Sequence, residues 1–290
     1  MRTILYTLLV TLSMVWQAQA ATMVERGQYL VEVLGACGNC HTPRAPAGAP
    51  SPLPLSGGFR IEEGFGIAIV PNITPDNETG LGMWTDAEII RAIREGKGRD
   101  GRTLGPPMPY DLYRQLSDTD VKAIVAYLRT VPAAHHAVPR SQYTIPLPEA
   151  YGPPVATVPD PAQDDLVKYG EYLAGPVAHC RACHTPPTPD MRLDMTRYYA
   201  GGRAFHGPYG TSYAANLTPD PETGLGSWSD EQIIRAIYGV RPDGRTLLPP
   251  MPWGFYGGKI AATDLKAILA YLRSLQPIMH KVPAPELPRQ

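Results

Sequence analysis

All four cysteines of this chain fall in two copies of one pattern, Cys37-Gly-Asn-Cys40-His41 and Cys180-Arg-Ala-Cys183-His184. On a helical turn, residues i, i+3 and i+4 share a face. Two thiols so placed can bond carbons along one edge of a planar ring, and the imidazole can reach a metal at its centre. C-x-x-C-H is the attachment signature of a c-type haem. The pattern predicts two covalent haems, one on Cys37 and Cys40 with His41 as iron ligand, the other on Cys180 and Cys183 with His184.

Three other chemistries compete for the same residues. Zinc usually takes four ligands from pairs close in sequence, whereas 143 residues separate these motifs. Thioredoxin-like redox chemistry needs a βαβ pattern around its C-x-x-C, and none is visible. Structural disulfides are the third, but C-x-x-C is a poor staple for a fold.

An iron held by one histidine has a sixth position to fill. Met108 in Pro106-Pro-Met-Pro-Tyr110 and Met251 in Pro249-Pro-Met-Pro-Trp253 each lie 71 residues after the first cysteine of their own motif. Flanking prolines restrict the backbone, which suits a loop holding one side chain in place. A thioether is a soft, neutral ligand, and a Met/His pair raises the haem potential. The other methionines read as gap-fillers: Met83 faces Ser227 in the other half, and Met191 and Met195 have no partner. His135, His136, His179, His206 and His280 are rival ligands; none is read as having a counterpart in the other half, so each is expected on the surface or in a loop.

The elements that must position these groups also come twice. Gly27-Gln-Tyr29-Leu30 matches Gly170-Glu-Tyr172-Leu173, and Gly57-Gly58 matches Gly201-Gly202. Asn72-Ile-Thr-Pro-Asp-Asn-Glu-Thr-Gly-Leu-Gly-Met-Trp84 matches Asn216 to Trp228, Asp100 to Leu104 matches Asp243 to Leu247, and Lys122 to Arg129 matches Lys266 to Arg273. The offset stays at 143 or 144, so the chain reads as a duplicated domain. Helical spacing runs from about Thr22 to Leu34. Thr85-Asp-Ala-Glu88 and Ser229-Asp-Glu-Gln232 are capping boxes that open further helices. Thr119 and Thr263 are expected as N-caps of the last helix of each half. Pro- and Gly-rich loops fill the remainder. The fold class is therefore all-α: two tandem domains, 21–137 and 162–290, each a few helices and long loops around a haem. Residues 138–161 carry seven prolines and read as a semi-rigid linker.

Arg102 and Arg245 follow equivalent Asp-Gly turns, and Trp84 and Trp228 follow the repeated Asn-x-Thr-Pro-Asp loops. They read equally as contacts to haem propionates or as turn arginines in solvent and core tryptophans.

Residues 1–20 read as a secretory signal peptide: Arg2, an apolar run from Ile4 to Trp16, and Ala18-Gln-Ala20 as the cleavage site. The run is too short for a membrane helix, and the mature protein is expected in the periplasm with no span of its own. Of 26 basic and 27 acidic residues, the signal holds only Arg2. The remaining near-balance argues against nucleic acid as a partner.

Each half resembles a class I cytochrome c domain, with an N-terminal helix, C-x-x-C-H, a helix, a Met loop and a C-terminal helix. The Asn-x-Thr-Pro-Asp-x-Glu-Thr-Gly-Leu-Gly and Pro-Met-Pro-Tyr/Trp loops are similar to those of cytochrome c subunits of bacterial membrane-bound alcohol and gluconate dehydrogenases. Those subunits carry three haem domains, and this chain has two motifs. The resemblance implies the ligands Cys37, Cys40, His41, Met108, Cys180, Cys183, His184 and Met251. It implies an electron-transfer protein rather than an enzyme. Single electrons would pass from a periplasmic or membrane-bound dehydrogenase to another cytochrome or a terminal oxidase. The alternative is a di-haem redox enzyme, of peroxidase or thiosulfate-oxidising type, with one open iron; the symmetry of the ligands counts against it.

Overall fold

A computed structural model describes residues 22–44, 51–188 and 192–288; the expected signal peptide and Met191 lie outside them. The chain divides into two compact units. One holds residues up to Glu32 with Cys37–Asp160, the other Val33–Ala36 with Pro161–Gln290.

The first begins with α1, residues 22–34, whose end widens into a π turn at Leu30–Leu34. Then follow α2 (Gly38–His41), β1 (Arg60–Glu63), β2 (Gly66–Ile69), α3 (Asp86–Glu95), α4 (Tyr110–Tyr113), α5 (Asp118–Leu128) and β3 (Gln142–Tyr143). The second repeats the order: α6 (Leu166–Tyr172) with a π turn at Leu173–Val177, α7 (Cys180–His184), β4 (Ala204–Gly207), β5 (Gly210–Tyr213), α8 (Asp230–Ile237), α9 (Trp253–Tyr256) and α10 (Ala262–Ser274). Among the described residues no helix is long and apolar enough to cross a membrane.

The all-α expectation needs correction. β1 and β2 form an antiparallel hairpin that β3 extends, and β4 and β5 form another. The physical reason is that the long loops must pair their own backbone N–H and C=O groups. Arg60-Ile-Glu-Glu alternates exposed and half-buried positions, and a two-residue turn closes each hairpin. Gly66 and Gly210 follow those turns at φ 105° and 93°, where side chains are rarely tolerated.

Both capping boxes are present. The Thr85 hydroxyl accepts from the Glu88 N–H while the Glu88 carboxylate accepts from the Thr85 N–H, and Ser229 and Gln232 do the same. The last helices start earlier than the threonines suggested. Ser117 caps α5 by accepting from the Asp120 N–H, and α10 begins after Ala261. Thr119 instead donates to Asp160 (2.8 Å).

The core of each unit lies where its first and last helices cross. Leu30 and Val31 of α1 are at most 1% exposed, as are Val121 and Ala123 of α5. Cys37 packs on the cluster of Val31, Leu55, Tyr127 and Leu128. In the second unit Leu173, Ala267, Ile268 and Leu272 are buried. The crossing is closed by a glycine. A methyl on Gly27 would sit 1.9 Å from the Ala123 carbonyl oxygen, and one on Gly170 would sit 1.9 Å from that of Ala267. Beside the first crossing Arg26 makes a two-pronged ion pair with Asp120 (2.8 and 2.9 Å).

The repeated Asn-x-Thr-Pro-Asp loop is a knot of internal hydrogen bonds. The Asn72 side chain accepts from the Thr74 N–H and hydroxyl and donates to Thr79 and to the Ala134 carbonyl. Asp76 accepts from the Thr79 N–H and hydroxyl, both at 2.7 Å. Asn216, Thr218, Asp220 and Thr223 repeat the pattern. An arginine at the end of the last helix clamps the same loop. Arg129 donates to the carbonyls of Leu81 and Trp84 and to Asp86, and Arg273 to those of Leu225 and Trp228 and to Asp230.

The Pro-rich stretch after the first unit's last helix packs on that unit. Gln142 and Tyr143 pair with β2, the Val155 N–H donates to Glu95, and the Asp118 N–H donates to the Val158 carbonyl. The chain's closing segment does the same in the second unit, where Glu286 pairs with Thr211 of β5.

Two outcomes are expected. Gly27→Val or Gly170→Val should force its helix crossing apart and lower stability by about 2–3 kcal/mol, as overpacked cores do; a denaturant midpoint equal to that of the parent would contradict the close approach. The second concerns Asp76, whose carboxyl lies below its ordinary value because the Thr79 hydroxyl and N–H bond the charged form. A depressed folded value stabilises above the unfolded carboxylate range, and that stability is lost as pH falls through the folded value. Asp76→Asn should therefore weaken the fold at neutral pH and flatten its loss toward acid, read from denaturant midpoints at several pH values.

Candidate functional site

Each C-x-x-C-H motif is a single helical turn reached through an abrupt bend. Ala36 and His179, the residues before the first cysteines, both have φ 44°. This left-handed conformation breaks the preceding helix and starts a new turn. Cys37 then caps α2; its carbonyl accepts from the N–H of Cys40 (3.2 Å) and of His41 (2.9 Å). Cys37, Cys40, Cys180 and Cys183 are half-buried and in no disulfide. Burial pushes the Cys37 and Cys180 thiols up to about 12, so both stay protonated at neutral pH.

The two imidazoles are held alike. His41 Nδ1 lies 2.9 Å from the Pro71 carbonyl oxygen, and His184 Nδ1 2.8 Å from that of Ala215. A carbonyl only accepts, so the proton sits on Nδ1 and Nε2 keeps its lone pair. Burial lowers both imidazoles below their ordinary value, outweighing the carbonyl bond that raises them. Both rings are therefore neutral, the form that ligates metal.

The polypeptide ties each motif to the loop that follows it. The Thr42 hydroxyl accepts from the Leu55 N–H, and the Gly57 N–H donates to the His41 carbonyl (2.7 Å). Thr185, Tyr199, Gly201 and His184 repeat these bonds. Met108 and Met251 stand half-buried in their loops, each followed directly by a short helix, α4 or α9. In the second unit α9 returns to the motif. Burial, then the neighbouring Cys180 and Cys183 thiols, raise the Tyr256 phenol well above its ordinary value.

These donors suit a porphyrin iron. The two thiols of each motif are in no disulfide and can form thioethers, and a neutral imidazole of fixed tautomer offers Nε2. They do not suit zinc, since among the described residues no three His, Cys, Asp or Glu side chains converge to hold an ion.

The Arg102 and Arg245 guanidinium groups pair with Asp100 and Asp243 of their own turns, each at 2.9 Å, and are about half exposed. The geometry supports the reading as turn arginines in solvent.

His136 and His280 require a correction, because they are counterparts. Each follows the clamp arginine by seven residues. His136 Nδ1 reaches the Ser56 carbonyl (3.0 Å) with its ring against Gly58; His280 Nδ1 reaches that of Ala200 (2.9 Å) with its ring against Gly202. They anchor the loop after the motif rather than stand free. His135 and His206 are exposed.

The cytochrome c family model matches residues 24–132. The chain is 31% identical over 267 residues to a fructose dehydrogenase cytochrome subunit of Gluconobacter japonicus, covering 87% of this chain and 52% of that protein. It is 32% identical over 285 residues to an alcohol dehydrogenase (quinone) cytochrome c subunit of Gluconacetobacter polyoxogenes, covering 89% and 57%. The chain thus spans about half the length of these relatives. With a diheme cytochrome c-type protein of Cereibacter sphaeroides it shares 33% identity over 266 residues, covering 84% of this chain and 83% of that one. Likeness along most of a relative's length agrees with the chemistry of the repeated motif, and the chain belongs to the cytochrome c family.

Proposed function

We propose that this chain is a periplasmic di-haem c-type cytochrome that moves single electrons from a dehydrogenase to a downstream cytochrome or terminal oxidase. The observation that carries the reading is the doubled imidazole geometry. His41 and His184 each spend Nδ1 on a backbone carbonyl and keep Nε2 for iron, beside a pair of cysteines in no disulfide. Cys37 and Cys40 would hold one haem by thioether bonds, and Cys180 and Cys183 the other, in tandem domains 21–137 and 162–290.

Bound there, haem supplies a one-electron couple. The chain's residues set its surroundings. The Nδ1 bonds fix ring orientation and raise imidazole basicity. Met108 and Met251 would each close an iron with a thioether, a ligand that raises the potential. With both closed, the protein carries electrons and makes or breaks no bonds of its own. Relatives named as cytochrome subunits of fructose, alcohol and gluconate dehydrogenases support a dehydrogenase as the electron donor. The pattern of residues 1–20 supports export.

Two results are expected from the purified protein. Oxidised, it should show a sulfur-to-iron charge-transfer band for two haems, and reduced, no carbon monoxide adduct. Met108→Ala should lower the potential of one haem and open it to carbon monoxide. A parent protein in which one haem binds carbon monoxide would point instead to a di-haem enzyme with one open iron.

A further inference from the structure

The Met108 and Met251 loops are nearly identical in sequence, yet different donors hold them. Each loop contains three prolines around its methionine and so has few N–H groups. Its carbonyls need donors brought from elsewhere. In the second unit these come from that unit's hairpin and from α9. The Ser212 hydroxyl of β5 donates to the Pro249 carbonyl (2.6 Å), and the Trp253 indole donates to that of Leu247 (3.0 Å).

In the first unit the corresponding carbonyls are served by the stretch beyond the last helix. The Tyr143 hydroxyl donates to the Pro106 carbonyl (3.0 Å), and the Tyr151 hydroxyl donates to that of Leu104 (2.9 Å). The position of Ser212 is taken by Ala68, which has no donor to offer, and that of Trp253 by Tyr110. Gly105 stands where the second unit has Leu248. A methyl there would meet the Tyr143 ring at 2.3 Å, so only glycine lets the phenol lie against the loop. The Tyr151 ring packs on Tyr110 at 4.8 Å between centroids. Between the two tyrosines, the Glu149 carbonyl accepts from Lys97 and from Thr103 (3.1 Å), fastening the stretch across the base of the loop.

We propose that Tyr143 and Tyr151 are positioning residues for Met108, so that the segment following the first domain holds the sixth ligand of the first haem. This rests on the reading of Met108 as an iron ligand. The first haem's closure then depends on the seating of residues 142–151, whereas the second haem's depends on β5 and α9.

The test uses the full haem-loaded chain and titrates its reduced form with carbon monoxide. Tyr143→Phe with Tyr151→Phe keeps both rings and removes both donors. It should raise carbon monoxide binding at one haem on the order of tenfold, as loss of hydrogen bonds of ordinary worth implies, and weaken the sulfur-to-iron band of that haem. Ala68→Ser, copying Ser212, should reverse the effect of Tyr143→Phe alone, a rescue that a merely structural role for the ring would not give. If the double variant loads haem poorly, Tyr143→Phe and this rescue decide the question. Parent-like carbon monoxide binding in the Phe variants, while Met108→Ala opens a haem, would overturn the positioning role. A silent Met108→Ala would instead overturn the ligand reading on which it rests.

Discussion

The structure depends on how closely two helices can approach in each unit. With no side chain at Gly27 or Gly170, α1 and α6 press their backbones onto Ala123 of α5 and Ala267 of α10. Everything chemical hangs from these crossings. The first helix runs through its π turn and a left-handed residue into the cysteine motif, so its placement fixes where the thiols lie. The last helix ends in Arg129 or Arg273, which reaches the Asn-x-Thr-Pro-Asp knot. One contact without a side chain therefore sets the relation between the attachment turn and the loop facing it.

The two C-x-x-C-H motifs are legible in the sequence, because their spacing is fixed within one helical turn. The capping boxes were legible too, since they rest on a short-range pattern. The hairpins were not. Arg60–Ile69 and Ala204–Tyr213 show only brief alternation among glycines, and their pairing is decided by what the surrounding loop leaves unsatisfied. The pairing of His136 with His280 was hidden by the change of offset from 143 to 144. It can be found by counting from Arg129 and Arg273 rather than from the cysteines. The part played by residues 138–160 was obscured by composition. Prolines suggested a spacer, but Tyr143, Tyr151 and Val155 bind it to the first unit.

The polar residues of the Asn-x-Thr-Pro-Asp loop show how a motif can be highly specific and still structural. Asn72, Thr74, Asp76 and Thr79 satisfy one another and the backbone of Ala134 and His136 after the last helix. The pattern recurs in both halves, and its bonds stay within the fold. The neighbouring Arg102 and Arg245 are likewise taken up by their own turns. The thiols, the imidazoles and the two half-buried methionines are the candidates for chemistry proposed above.

The imidazoles are oriented by backbone carbonyls, those of Pro71 and Ala215, rather than by carboxylate or amide side chains. A side-chain partner can be deleted by one codon change, but a peptide carbonyl belongs to every residue type. The identity of the residue supplying it is thus nearly free to drift, here proline in one half and alanine in the other. Mutational pressure falls on the path of the loop instead of on any one letter of it. The orientation of both rings is heritable through backbone shape, which lets the two copies diverge in sequence while keeping the same hold on the histidine.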